Sequence, residues 1–329
     1  MPDKNTILIT GGAGYIGSHV CQELGSHGYK LVVLDNLSNG TRELILPDVT
    51  FIKGDIADQE LLRQIFAQFQ ISSVMHFAGS IVVSESVVDP IKYYKNNAAA
   101  SSILIEECVR AGVERFVFSS SAAVYGNVGS RLVSESVEKK PINPYGKTKL
   151  ITEWLLEDVA AVTKMRVGVL RYFNVAGADL NQRLGQVGKN GTHLIRRVCE
   201  CLLDDSELTI FGDDYNTPDG TCLRDYIHVC DLATAHRRVL EALTSEADYF
   251  CANVGYGKGY SVLEIVNAAE KLTGKKIKVV VGPRRQGDSD TLVSDPSFIK
   301  KKTDWLPRFE DISVIIESAL NWEKARRDA

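Results

Sequence analysis

Apolar residues recur along the first half of the chain in two alternating patterns. One is the short continuous run: TILIT at 6–10, KLVVLD at 30–35, VTFIKG at 49–54, SVMHFA at 73–78, RFVFSS at 115–120 and RVGVLRY at 166–172. The other has helical spacing, as in IGSHVCQELGSHG and DQELLRQIFAQF. Continuous apolar strands read as strands covered on both faces, and helices between them make the strands parallel. The pattern predicts an α/β fold with a doubly wound, Rossmann-like parallel sheet. After residue 174 the rhythm breaks into a stretch rich in Gly, Asn and Asp, with one helical piece (THLIRRVCECLL) and one short strand (LTIF). RDYIHV at 224–229, a helix at 231–244 and YFCANV at 249–254 then resume the α/β style. The expected division is therefore a cofactor-type domain, 1–174 plus 224–254, and a smaller discontinuous α/β domain, 175–223 plus 255–329.

Bulk composition narrows the classes. The 329 residues exceed what one compact core usually holds. Net charge is −4, with short scattered lysine runs, which argues against a nucleic-acid partner. Seven cysteines with no CxxC pair read as reduced thiols rather than a metal site or a disulfide framework. His228 and Asp231 have no third ligand at sensible spacing, and His76 ends an apolar strand, so all three read as structural; no metal is expected. No apolar run is long enough to span a bilayer and MPDKNT is no signal peptide, so the expectation is a cytoplasmic protein with no membrane partner.

Chemistry enters at the strand ends. The first strand runs into GGAGYIGSH, where Gly11, Gly14 and Gly17 are spaced for a tight turn, close approach of backbone to a pyrophosphate, and a helix N-terminus facing that anion. Asp35 ends the second strand 18 residues after Gly17. An acid there accepts hydrogen bonds from ribose hydroxyls and repels a 2′-phosphate, which favours NAD over NADP. Of the 12 tyrosines, only Tyr145 has a lysine four residues on, Lys149. That spacing places both on one helical face. Ser119, Ser120 and Ser121 end a strand 24 residues earlier, at the edge where open α/β sheets bind ligands. The expectation is a phenol whose pKa is pulled down by the ammonium and by an oxidised nicotinamide.

These residues resemble the extended short-chain dehydrogenase/reductase superfamily. HFAG (76–79), FSSSAAVYG (118–126), PYGKTK (144–149), RYFN (171–174), IFGDDYNTPDGTCLRDYIHVCDLA (210–233) and PRRQGD (283–288) narrow the likeness to the UDP-glucose (UDP-galactose) 4-epimerase family, over essentially the whole chain. The resemblance implies that Tyr145 takes the proton of the sugar 4-hydroxyl, that Ser121 hydrogen-bonds the reacting oxygen, and that Lys149 holds the nicotinamide ribose. It implies cofactor contacts at Tyr15, Ile16, Asp35, Asn36, Asp55, Ile56, Phe77, Ala78, Gly79, Asn96 and Phe173. It implies contacts to the UDP-sugar at Asn174, Leu194, Thr209, Ile210, Phe211, Arg224, Tyr226, Arg285 and Asp288, the arginines clamping the diphosphate. It also implies a homodimer through helices near 84–111 and 145–164.

Three positions depart from the family pattern. Ile81 stands where some members carry lysine, which bears on NAD retention. Thr192-His193-Leu194 replaces NNL, and His193 reads equally as a phosphate donor or a helix cap. Leu292 stands where a tyrosine or a small residue correlates with sugar choice, and it leans toward glucose and galactose over N-acetylated sugars. Ala122-Ala123 after Ser121 argues against a dehydratase or a uronate decarboxylase. A uronate or pentose 4-epimerase stays open, and a silent NAD-binding sensor is disfavoured by the intact Tyr–Lys pair.

Overall fold

A computed structural model of the chain describes residues 6–129, 132–188, 193–244, 249–285 and 288–328. The strands are β1 (Thr6–Thr10), β2 (Lys30–Asp35), β3 (Thr50–Lys53), β4 (Ser73–His76), β5 (Arg115–Ser121), β6 (Arg166–Tyr172), β7 (Asn174–Ala176), β8 (Leu208–Phe211), β9 (Leu223–His228), β10 (Tyr249–Val254), β11 (Gly259–Ser261), β12 (Val279–Gly282) and β13 (Thr291–Leu292). The α-helices are α1 (Tyr15–Ser26), α2 (Gln59–Gln68), α3 (Val83–Val88), α4 (Pro90–Tyr93), α5 (Ala100–Ala111), α6 (Pro144–Val162), α7 (Leu194–Asp204), α8 (Val229–Ala242), α9 (Val262–Thr273), α10 (Ser297–Thr303) and α11 (Ile312–Asp328).

Seven strands form one parallel sheet in the order β3-β2-β1-β4-β5-β6-β10. This is the doubly wound arrangement expected from the sequence. Alternation within the strands explains the continuous apolar runs. Ile7, Ile9, Val33, Met75 and Val117 face α1 and α8 through Val20, Leu24, Leu232 and Val239. Leu8, Val32, Val74, Phe116 and Val167 face α2, α5 and α6 through Leu62, Leu104 and Leu156. Each such side chain contributes about 1.5–3 kcal/mol by leaving water, and the two layers together hold the sheet. Strand order reverses between β1 and β4, so a crevice opens at their C-terminal ends.

Local signals set the helices. The Asp58 side chain accepts from Leu61 N–H to start α2. Asn143 does the same for Gly146 at α6, with Pro144 as its first residue. Ser261 and Glu264 form a reciprocal capping box on α9, which Gly274 ends in the left-handed conformation.

The second half departs from expectation at one strand. Residues 224–228 do not rejoin the large sheet: β9 pairs with β7, β11 and β13 in a separate four-stranded sheet. The chain re-enters the large sheet through α8 and β10 instead. The physical reason lies in the flanking elements: β9 buries Tyr226 against α7, α9 and α11, a third core built from Ile195, Val198, Ile265, Ile315 and Ile316. β8 pairs only with β12. No helix among the described residues is long and apolar enough to cross a membrane.

Candidate active site

The glycine turn between β1 and α1 is built around two positions that exclude a side chain. Gly11 has φ +74°, and a Cβ there would stand 2.5 Å from the Ala78 nitrogen. A Cβ on Gly17 would stand 2.3 Å from the Gly11 carbonyl oxygen. Both glycines therefore bring backbones together that any other residue would separate. Gly14 is the N-cap of α1, whose first turn carries no acidic residue. The N–H groups of Tyr15 and Ile16 open the helix, the arrangement that receives an anion. The Tyr15 hydroxyl itself is committed elsewhere, donating to the Gly177 carbonyl at 2.6 Å.

Along the same sheet edge, Asp35 accepts from Ala13 N–H at 3.0 Å and Leu37 N–H at 2.8 Å. A carboxylate has about four acceptor sites, so two remain for a diol. Asn36 donates to Asp55 at 2.7 Å, while Ile56 is buried in the core beneath. Gly79 and Asn96 sit beside a feature the sequence reading missed. Buried Asn97 accepts from Ser80 N–H at 2.7 Å and donates to the Ser80 carbonyl at 2.9 Å, and Asn96 donates to the Ser80 hydroxyl. The Asn96-Asn97 pair was the available signal. This edge, with its glycine cradle, helix N-terminus and free carboxylate lone pairs, fits an adenine dinucleotide.

The serine end of β5 meets α6 next to it. Tyr145 and Lys149 are both buried, 7% and 4% exposed. Lys149 Nζ donates to the Ser119 carbonyl at 2.9 Å and lies 5.9 Å from the centroid of the Tyr145 ring. Ser121 lines the same cavity as the Tyr145 phenol and accepts from Ala123 N–H at 3.2 Å. The expected depressed phenol is not what the chain alone produces. Burial pushes Tyr145 above its ordinary value, with Ser121 opposing it. Burial likewise brings Lys149 down to about 8, with Glu153 opposing. Desolvation disfavours the charged form of both groups, so a phenolate here calls for a further positive charge beside it. His76 is a core histidine, hydrogen-bonded at both ring nitrogens to Thr10 and Ser101. His228 and Asp231 make structural hydrogen bonds to Ser318, Cys230 N–H and Tyr256.

A cavity of about 760 Å³ runs from this pair into the second half of the chain. Its walls include Ile16, Ser121, Tyr145 and Phe173. Asn174, His193, Leu194, Thr209, Ile210, Phe211, Arg224, Tyr226, Arg285 and Asp288 line the rest, with the departing residues Ile81 and Leu292. The other cofactor candidates, Lys149 and Asp35 among them, are not part of its lining. The Arg285 guanidinium stacks 3.8 Å from the Phe211 ring centroid. Arg224 donates to the Leu223 carbonyl and faces Asp288 at 3.8 Å. His193 is the N-cap residue of α7, but its side chain makes no cap: Nδ1 accepts from Gln186 at 2.9 Å.

A second missed feature holds the wall before α7. Three successive carbonyls are gripped: Gln186 by the Trp322 indole at 2.9 Å, Val187 and Gly188 by Arg196 at 3.1 and 2.5 Å. Trp322 is 136 residues from Gln186, and no local pattern announces that contact.

A family model described as "NAD dependent epimerase/dehydratase family" matches residues 7–255. The UDP-glucose 4-epimerase of Azospirillum brasilense is 47% identical over 320 residues, covering 97% of this chain and 92% of that protein. The crystal structure of a Brucella ovis UDP-glucose 4-epimerase in complex with NAD superposes with TM-score 0.92 at 41% identity, over 96% of this chain and 98% of that one. A Bifidobacterium longum UDP-glucose 4-epimerase in complex with NAD+ and UDP gives TM-score 0.93 at 36% identity, over 98% and 99%. The chain belongs to the NAD dependent epimerase/dehydratase family, with UDP-glucose 4-epimerases as its relatives along nearly its whole length.

Proposed function

We propose that the protein interconverts UDP-glucose and UDP-galactose by inverting sugar C4 with no net redox change. One observation carries the reading: a single cavity is lined both by Ser121 and Tyr145 and by Arg224 and Arg285. That joins a base for a reacting hydroxyl with a clamp for a diphosphate in one site. Gly11, Gly14, Gly17, Asp35, Asn36, Asp55, Asn96 and Phe173 hold the cofactor. NAD, when bound, supplies the reversible hydride acceptor for C4 and a positive charge beside the phenol. Tyr145 takes the proton of the 4-hydroxyl and returns it, so the base ends each turnover as it began. Ser121 donates to the same oxygen as it becomes a carbonyl. Lys149, fixed on the Ser119 carbonyl, keeps a cation next to the forming phenolate. Arg224 and Arg285 suit a diphosphate because guanidinium binds phosphate oxygens in pairs. Binding energy spent there leaves the hexose free to turn and present its other face.

The large sheet with α8 and β10 is the cofactor lobe. The four-stranded sheet, with α7, α9 and α11, is the nucleotide-sugar lobe. Free thiols at all seven cysteines fit a reducing, cytoplasmic setting. A homodimer fits the exposed apolar residues of α3 and α6: Val88 at 86%, Trp154 at 56% and Val162 at 83% exposed. Trp154→Lys should then convert a dimer to a monomer in light scattering.

The deciding experiment is an NMR time course of UDP-galactose with the protein and NAD. UDP-glucose should form without accumulating NADH, and Tyr145→Phe should slow it about 10²–10⁴-fold while UDP still binds. Conversion of only UDP-glucuronate or UDP-pentoses would move the substrate. Stoichiometric NADH would make the protein a dehydrogenase.

A further inference from the structure

We propose that Glu153 is a positioning residue of the active site: anchored on Arg171 and Ser120, it fixes α6 in register against the serine end of β5 and supplies the negative charge that faces Lys149. The proposal rests on the epimerase reading of the Tyr145–Lys149 pair. Tyr145, Lys149 and Glu153 lie at successive four-residue steps on α6, and all three are buried, Glu153 at 2% exposure.

The Glu153 carboxylate is fully engaged. Ser120 Oγ donates to Oε1. Arg171 donates Nε to both oxygens, at 2.9 and 3.1 Å, and Nη2 to Oε2 at 2.5 Å. The remaining Arg171 nitrogen, Nη1, reaches the Tyr125 hydroxyl at 2.9 Å. Tyr125 donates to Asn253 at 2.7 Å, and Asn253 donates to the Val133 carbonyl at 2.8 Å. The chain of bonds thus pins α6 to β5, β6 and β10 together.

The three serines at the end of β5 divide the work. The Ser119 carbonyl receives Lys149, and Ser121 lines the cavity with Tyr145. Ser120, between them, is held by Glu153. A shift of one serine moves the other two. Stability alone does not call for this charge, because a buried ion pair is commonly matched or bettered by apolar side chains of the same volume. What an apolar residue could not supply is a fixed anion one helical turn from Lys149.

The groups facing Lys149 are few. Tyr145 and Glu153 come from its own helix. β4 supplies His76, which burial and the Lys149 charge hold neutral down to about pH 3. β5 supplies the Ser119 carbonyl and the Phe118 ring at 4.9 Å. Arg171 on β6 faces Glu153, and Cys251 on β10 and Glu135 lie behind that pair. Glu153 is the anion that opposes the loss of the Lys149 proton by burial.

The test is Glu153→Gln in the NAD-loaded enzyme, with Glu153→Asp as the charge-keeping control. The double variant Glu153→Gln/Arg171→Met removes the stranded guanidinium. With UDP-galactose, kcat should fall at least tenfold in Glu153→Gln and in the double variant, with KM within about twofold. The alkaline limb of the pH profile should move at least one unit toward acid. Glu153→Asp should restore the limb. Lysine NMR on 13C-labelled protein, with Lys149 assigned by Lys149→Arg, should show the same acid shift without any turnover, so it reads the proposal even if the sugar is another one. An unmoved Lys149 titration and an unmoved limb, with kcat loss tracking the fall in Tm, would reduce Glu153 to a structural ion pair and overturn the proposal.

Discussion

Among the helices that start at the site, α1 and α7 have approaches held in opposite ways. The approach to α1 is held by absence. Gly11 and Gly17 let three stretches of backbone touch, the third at Phe77-Ala78, and the two glycines lie within seven residues. The approach to α7 is held by presence. Trp322 and Arg196 grip the carbonyls of 186, 187 and 188, and a Cβ on Gly185 would stand 2.4 Å from the Trp322 ring. One is a rigid backbone fit that a single Cβ destroys. The other is a set of side-chain bonds that can be removed one at a time. The first should therefore fail all at once and the second by steps.

The largest effect belongs to Gly17→Val. The added Cβ meets the Gly11 carbonyl and the Gly12 Cα, both backbone, so nothing flexible can yield. Fluorescence titration should detect no NAD binding, and the yield of folded protein should drop. UDP affinity in any folded fraction should stay close to wild type. Loss of both affinities together would break the comparison, since it would make the two approaches one cooperative unit.

Acid sharpens it next. The α1–α8 flank buries His19, His228 and His236, which burial brings to about 4, about 3 and about 4. Their ordinary value is 6.5, so between pH 6.5 and about 4 the unfolded chain binds more protons than the folded one. Stability is full above pH 6.5 and is lost as pH falls toward 4, by up to roughly 3 kcal/mol for each fully shifted histidine. Thermal melts across this range should show Tm falling steeply. His236→Leu should flatten part of the slope, because the His236 Nε2 has no partner to lose.

This contrast also explains what the sequence could disclose. Glycine spacing, the acid at the end of β2, the Tyr–Lys step on α6 and the apolar alternation are local, so a short window carries each of them. The large sheet, the cofactor edge and the Tyr145–Lys149 pair were legible for that reason. The wall before α7 depends on Trp322, 136 residues away from its carbonyl. β9 was assigned to the wrong sheet because its apolar run says only that it is buried, and α7, α9 and α11 decide against what. The rise of the phenol in the chain alone was hidden for a related reason: charge is visible in a sequence, but the depth of burial that opposes it is not.

Arg196→Met should have a middle-sized effect confined to the second approach. It frees two carbonyls and leaves Glu200 with Arg197 and Glu323 with Arg326 as remaining partners. A hydrogen bond from a charged donor is worth about 1.5–3 kcal/mol; with about one bond's worth transmitted to the ligand, UDP should bind about ten- to a hundredfold more weakly by calorimetry. NAD affinity should stay within about twofold. An equal loss of NAD would show that the wall reaches the cofactor lobe.

The smallest effect tests whether the steps are really separable. Trp322→Phe keeps an aromatic ring against Gly185 but removes the indole N–H that reaches the Gln186 carbonyl. One neutral hydrogen bond is worth about 1 kcal/mol, which is about fivefold in UDP affinity. Gln186 also donates to His193, so the loss should reach the cavity lining through that side chain. The measurement is UDP calorimetry on Trp322→Phe, on Arg196→Met and on the double variant. Additive free energies would mean that each carbonyl is held independently, as the bond pattern implies. A double variant no worse than Arg196→Met would mean that the wall is already lost once its arginine goes. In that case the second approach, like the glycine turn, fails as one piece, and the difference between the two lies only in how far apart in the chain their parts are.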